Sequence, residues 1–113
     1  MNLDEIILYC SAKAGAEECF PFNEETLVFK VNGKMFLLMG LEHDPLQFSV
    51  KCDPELAIEL KEQYDCIIPA YHMSKIHWIT VVVDNTLTRS QLKERIDHSY
   101  DLVSGTKKKA RKK

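Results

Sequence analysis

Apolar positions along this chain change their period several times, and each change marks an element. Leu3, Ile6, Ile7, Cys10 and Ala14 recur at helical spacing, which puts them on one face of a 3.6-residue period. Asn2 with Glu5 three residues later forms a capping-box pattern, and Gly15 is a natural stop. The spacing predicts a first helix over residues 3–14. From there to Thr26 the chain holds Phe20-Pro21-Phe22 and two acidic pairs, and is expected to be a connecting loop.

A period of two then takes over. Leu27–Val31 and Lys34–Leu41 flank Asn32-Gly33, whose tolerance of positive φ suits a type I′ hairpin turn. That turn sets Val31 opposite Lys34 and Phe29 opposite Phe36, the two rings pairing on the buried face, while Val28 and Lys30 point away. After a turn near His43-Asp44-Pro45, Leu46, Phe48, Val50 and Cys52 alternate with Gln47, Ser49 and Lys51, apolar inward and polar outward. Asp53-Pro54-Glu55 is a strong helix start, and Leu56, Ala57, Leu60 and Tyr64 line the inner side of the helix it opens. Cys66–His72 is predicted as an edge strand broken by Pro69, and a longer strand runs from His77 to Val83 before a turn at Asp84-Asn85. Thr88 and Gln91 cap the last helix and Leu87 with Leu92 staples it. Leu92, Ile96, Tyr100 and Val103 give its core stripe, and Gly105 ends it.

The resulting order, α-βββ-α-ββ-α, predicts a two-layer α+β sandwich with a mainly antiparallel sheet and the helices on one face. A length of 113 residues leaves room for one core, so residues 1–105 are expected to form a single domain. Residues 106–113 are too basic and too poor in apolar groups to pack, and are expected to be a disordered tail. The net charge of −2 conceals this division. Lys107, Lys108, Lys109, Arg111, Lys112 and Lys113 hold six of the fifteen basic side chains, so residues 1–106 carry −8. The longest apolar run, Met35–Leu41, is far too short to cross a bilayer, and Asp4 and Glu5 stand where a secretory signal would be basic. The expected location is the cytoplasm, with Cys10, Cys19, Cys52 and Cys66 as reduced thiols rather than a disulfide or zinc framework.

Several of these stretches together resemble the MmcQ/YjbR family of small bacterial proteins. They are Phe20-Pro21-Phe22, Leu27–Val31 with Gly33–Phe36, Lys51–Glu55, Pro69 with Tyr71-His72-Met73, Lys75 with His77-Trp78, and Ile96–Val103. The resemblance spans most of residues 3–104. It implies a fold like that of frataxin and secretion chaperones, and a DNA-binding role. Asn23 and Ala70 depart from it, since family members often carry glycine there.

The chemistry of the residues favours binding over catalysis. His72 and His77, with His43 or a cysteine, fall short of a metal ligand set, and no cofactor is expected. Cys52 beside a helix start is turned into the core, Asp97 and His98 point apart on their helix, and His98 is expected to pair at the surface with Glu94. No phosphate-binding glycine loop is present, so the chain is expected not to be an enzyme. Strand parity places Lys30, Gln47, Ser49, Lys51, Trp78 and Thr80 together on the sheet face away from the helices. Lysines on such a face neutralise phosphates while an exposed indole stacks on a base. The expected nucleic-acid contacts are Lys30, Lys34, Lys51, Tyr71, His72, Lys75, His77 and Trp78, with the tail residues Lys107, Lys108, Lys109 and Arg111. The alternative is a protein-interaction adaptor or homodimer using the same face, with Val28 and Val82 exposed beside Trp78. An iron site at Glu17, Glu18, Glu24 and Glu25 would rest on fold analogy alone.

Overall fold

Asn2 opens helix α1 (Leu3–Ser11) with both bonds of a capping box, its side chain accepting from the Glu5 N–H while Glu5 accepts from the Asn2 N–H. The computed structural model describes residues 1–70 and 73–105. The helix ends at Ser11, earlier than its apolar spacing predicts. Tighter bonds, from the Lys13 N–H to the Cys10 carbonyl and from the Ala16 N–H to the Lys13 carbonyl, bend the chain towards Gly15, where φ is +74°. Strand β1 (Glu17–Cys19) follows, in the stretch expected to be loop. Three residues, two of them acidic, carry no readable period; they become a strand because β2 (Thr26–Val31) offers a free edge.

Asn32 and Gly33, both at positive φ, turn β2 into β3 (Lys34–Gly40), with Val31 opposite Lys34 as expected. The register then slips. Lys30 faces Met35, but Phe29 faces Leu37, so Phe36 is the extra residue of a β-bulge. Phe29 and Phe36 still meet, ring centroids 6.1 Å apart, although they are not directly opposed. Both Phe36 and Leu37 join the core as a result.

Strand β4 (Gln47–Lys51) leads through Cys52 to α2 (Pro54–Gln63), capped by the Asp53 side chain on the Leu56 N–H. The sheet is completed by β5 (Ile67–Pro69) and β6 (Trp78–Val82) in the order β1-β2-β3-β4-β6-β5, every neighbouring pair antiparallel. Helix α3 (Arg89–Ser104) has the predicted Thr88–Gln91 box, the Leu87 and Leu92 staple residues buried, and Gly105 at φ +76°. The architecture is α+β, with the helices packed on one side of the sheet around Phe29, Phe36, Phe48, Val50, Ile79 and Ile96.

One turn of α3 fastens this layer to the others. Asp97 accepts from the Tyr9 hydroxyl at 2.6 Å and pairs with Lys13, joining α3 to α1. Desolvation pulls the Lys13 amine down, but the Asp97 carboxylate outweighs it and the pKa is raised. That contribution to stability is complete below the ordinary lysine pKa and is lost only as pH rises through the higher folded value. His98, expected to pair at the surface with Glu94, accepts the Asp53 N–H at 3.1 Å and so reaches the cap of α2. The Tyr100 hydroxyl donates to the Ala14 carbonyl. Ser99, wholly buried, donates to the Phe36 carbonyl at 2.6 Å and accepts the Lys51 N–H at 2.9 Å. Replacing Ser99 by Ala removes both bonds and leaves two buried backbone groups without them. The expected cost is about 1–3 kcal/mol, measured as a lower urea midpoint with an unchanged m-value. An unchanged midpoint would show that water replaces the hydroxyl.

Candidate nucleic-acid interface

The side of the sheet opposite the helices is built from in-register rows. One row runs Cys19, Val28, Leu38, Ser49, Thr80, Ile68 across all six strands. A second carries Glu17, Lys30 and Met35 at one edge, and Lys51 opposite Trp78 farther in. Parity therefore assigned these side chains to the correct face: Val28 and Trp78 lie outside the core cluster on the helical side, and Thr80 stands in register with Ser49 and bonds it.

Exposure is another matter, and two expectations are corrected. Trp78 retains 9% of its surface and Val28 none. The described part of the β5–β6 connection, Ala70 and residues 73–77, lies beside this face. Ala70 and Met73 line a cleft with Leu38, Ser49 and Thr80, and the Trp78 N–H bonds the Ser74 carbonyl. An indole buried to this extent offers little ring surface to a base, and the apolar patch expected for an adaptor or dimer contact loses both Val28 and Trp78. The exposed large apolar groups stand elsewhere, among them Phe20 and Phe22 before β2 and Ile76 in the connection.

The lysines are placed differently. Lys34 and Lys75 are exposed, Lys30 and Lys51 half-buried. The β2–β3 turn, the end of β4 and the start of β6 all lie at one end of the sheet, so Lys30, Lys34, Lys51, Lys75 and the exposed His77 share that end. His77 is tied in by its carbonyl, which accepts the Cys52 N–H at 2.8 Å. Lys30 has a neighbour the sequence reading did not foresee: Glu17 of β1 faces it directly, which offsets part of its charge. Among the described residues the ion pairs within 4 Å are Lys13–Asp97 and Arg89–Glu5, neither of which uses Lys30, Lys34 or Lys51. Tyr71, His72 and the tail residues Lys107, Lys108, Lys109 and Arg111 lie outside the described residues.

Across the middle of the same face, from His43 to Met73, runs a cleft of 250 Å³. His43, Gln47, Ser49 and Thr80 give it polar walls, and the Ser49 and Thr80 hydroxyls bond each other at 2.8 Å. His43 lies in the β3–β4 connection and His77 at the start of β6, at opposite ends of the sheet. The five residues of β4 between those ends span about 17 Å, so the two imidazoles cannot share a metal. Glu17 and Glu18, adjacent on a strand, point to opposite faces, which breaks up the acidic group considered for iron. Among the described residues no three His, Cys, Asp or Glu side chains gather for a metal ion.

Cys52 is buried beside the start of α2, and desolvation pushes its thiol up to about 11 despite the nearby Arg95. Burial likewise raises Cys10 to about 12. Both are packing residues rather than nucleophiles. Two features escaped the sequence reading. Ser99 stands three residues after Ile96 and four before Val103, an inner position whose polarity was the available signal. Gly40, under the His43 ring, gave no local sign.

A family model described as YjbR matches residues 11–102. The uncharacterised protein YjbR of Escherichia coli K12 is 34% identical over 100 residues, 88% of this chain and 85% of that protein. The uncharacterised protein YyaQ of Bacillus subtilis 168 is 35% identical, over 91% of this chain and 98% of the relative. The crystal structure of a Deinococcus radiodurans protein with a DUF419 domain superposes with a TM-score of 0.87 at 40% identity, covering 98% of this chain and 83% of the other.

The burial of the single tryptophan and of three thiols can be checked directly. Native Trp78 is expected to emit at the blue end of the tryptophan range and to resist iodide, with quenching restored in urea. Equal quenching of both forms would mean that the indole is not buried. A thiol reagent at pH 8 is expected to label half-buried Cys19 first, with Cys10, Cys52 and Cys66 reacting on the timescale of unfolding. Rapid labelling of Cys52 in the native protein would contradict its packing.

Proposed function

The chain belongs to the YjbR family, and from the placement of its lysines we propose that it binds nucleic acid as a non-enzymatic protein of the cytoplasm. The observation that supports this is the gathering of Lys30, Lys34, Lys51 and Lys75 at one end of the sheet, in a body whose residues 1–106 carry −8. An acidic surface repels a polyanion, so approach is productive only at that end. Lys34 and Lys51 contribute more than Lys30, which faces Glu17. The basic residues that follow Gly105 in sequence, Lys107–Lys109, Arg111, Lys112 and Lys113, supply further cations for phosphate. Contacts of this kind position the nucleic acid without reading its sequence.

This reading keeps the lysine contacts and His77 from the sequence analysis and gives up base stacking by Trp78, whose ring is enclosed. Membrane association has no support from a spanning helix, because no helix among the described residues is long and apolar enough to cross one.

Binding to labelled single-stranded and duplex DNA, followed by anisotropy across salt concentrations, tests the proposal. Affinity is expected to fall steeply with salt. Each phosphate contact contributes a slope of roughly 0.7 for a single strand or 0.9 for a duplex in the log–log plot. The triple variant Lys34→Gln/Lys51→Gln/Lys75→Gln is expected to reduce that slope by roughly 2. Absence of binding at low ionic strength, or a slope the triple variant leaves unchanged, would refute the lysine end as the contact surface.

A further inference from the structure

Resting on the nucleic-acid reading, we infer that the cleft between His43 and Met73 receives one unpaired nucleobase, so that the protein prefers single strands to duplex. Its volume is 250 Å³, below the roughly 300–1,000 Å³ of pockets that enclose drug-sized ligands, so the occupant is about the size of a ring. Among the described residues neither an acidic side chain nor a lysine or arginine lines it. The group it takes is therefore neutral and read by hydrogen bonds, which suits a base and not a phosphate.

The polar side chains that converge there have capacity to spare. Gln47 presents an amide donor and acceptor side by side, and no hydrogen bond of that amide occurs among the described residues. Ser49 and Thr80 use one hydroxyl proton between them, which leaves the second to donate outward. Leu38, Ile68 and Met73 supply apolar surface. Gly40 explains how an imidazole comes to lie at the mouth. A Cβ at this position would stand 2.6 Å from His43 Cδ2 and 3.2 Å from Nε2, so the exposed ring rests against bare backbone, a place from which an imidazole can stack on a base.

The cleft and the lysine end are adjacent parts of one surface. Ser49 and Lys51 are two residues apart on β4 and face the same way, a separation of about 7 Å. A base held beside Ser49 leaves its own phosphate within reach of the Lys51 amine. In a duplex the base edges are paired and the rings stacked, so neither can enter the cleft unless the base leaves the helix.

The test uses ten-nucleotide oligo(dA) and oligo(dT), separately and annealed, with the full chain and two cleft variants. Gly40→Ala drives the His43 ring off its seat. Its folding is expected to survive because that ring is exposed and free to swing outward. Gln47→Leu keeps the size of the side chain and removes the amide. Each is expected to weaken single-strand binding about tenfold, with the salt slope and the duplex affinity unchanged. Melting temperatures of the variants serve as the folding control, and His43→Ala replaces Gly40→Ala if that variant does not fold. Equal affinity of the wild-type protein for duplex and single strand, or single-strand binding unmoved in the cleft variants, would overturn this inference while leaving the lysine contacts standing. Absence of binding to any of the three probes would overturn both.

Discussion

A single hydroxyl holds the architecture at its weakest point. The bulge at Phe36 interrupts the β2–β3 ladder and turns a backbone carbonyl towards the helical layer. Left alone, that carbonyl would be a buried acceptor without a donor, and the Lys51 N–H at the end of β4 would be its counterpart. Ser99 answers both from the inner face of α3. Its neighbours on the same turn hold α1 through Asp97, the cap of α2 through His98 and the Ala14 carbonyl through Tyr100. The run Ile96–Val103, which carries part of the family resemblance, thus has a mechanical explanation. It clamps two other helices and the centre of the sheet.

That clamp also shapes the outer surface. Because Ser99 fixes the Lys51 backbone, the Lys51 side chain is held on the far face, opposite Trp78 and two residues from the Ser49–Thr80 hydroxyl pair. The charges of the two sides are handled differently. On the helical side Lys13 is paired with Asp97 and lies against the Tyr9 and Tyr100 rings, while Arg89 is paired with Glu5. Glu5 is held below its ordinary pKa first by the Asn2 N–H and then by Arg89. Its contribution is therefore present above the ordinary carboxylate pKa and is lost as pH falls through the lower folded value. At the far end of the sheet Lys34 is exposed and Lys30 and Lys51 are half-buried, and none of these three joins an ion pair among the described residues.

Bulk composition would place this chain among acidic proteins with no interest in polyanions. The arrangement matters more than the total. Screening confines electrostatic influence to about 8–10 Å at physiological salt, so a phosphate at the end of the sheet responds to Lys34 and Lys51 rather than to carboxylates on the far side of α1. Among the described residues the cleft beside these lysines is lined by hydrogen-bonding and apolar side chains rather than by further lysines or carboxylates.

What the sequence determined by itself was everything set by short-range geometry. The caps at Asn2, Asp53 and Thr88, the Asn32-Gly33 turn, the stop at Gly105 and the inward or outward sense of the β2, β4 and β6 residues depend on φ/ψ preferences and on a period of two or 3.6. All of these are encoded within a few residues. The tertiary structure alone decided what lies over each face. Whether Trp78 is wet or buried depends on what packs over that side of the sheet. Whether Glu17 stands against Lys30 depends on a three-residue segment finding a free strand edge. Whether Phe29 meets Phe36 or Leu37 depends on a bulge that a serine on a distant helix makes tolerable. These are contacts between residues far apart in sequence, whose free energies exist only once the chain is folded, and no local pattern records them.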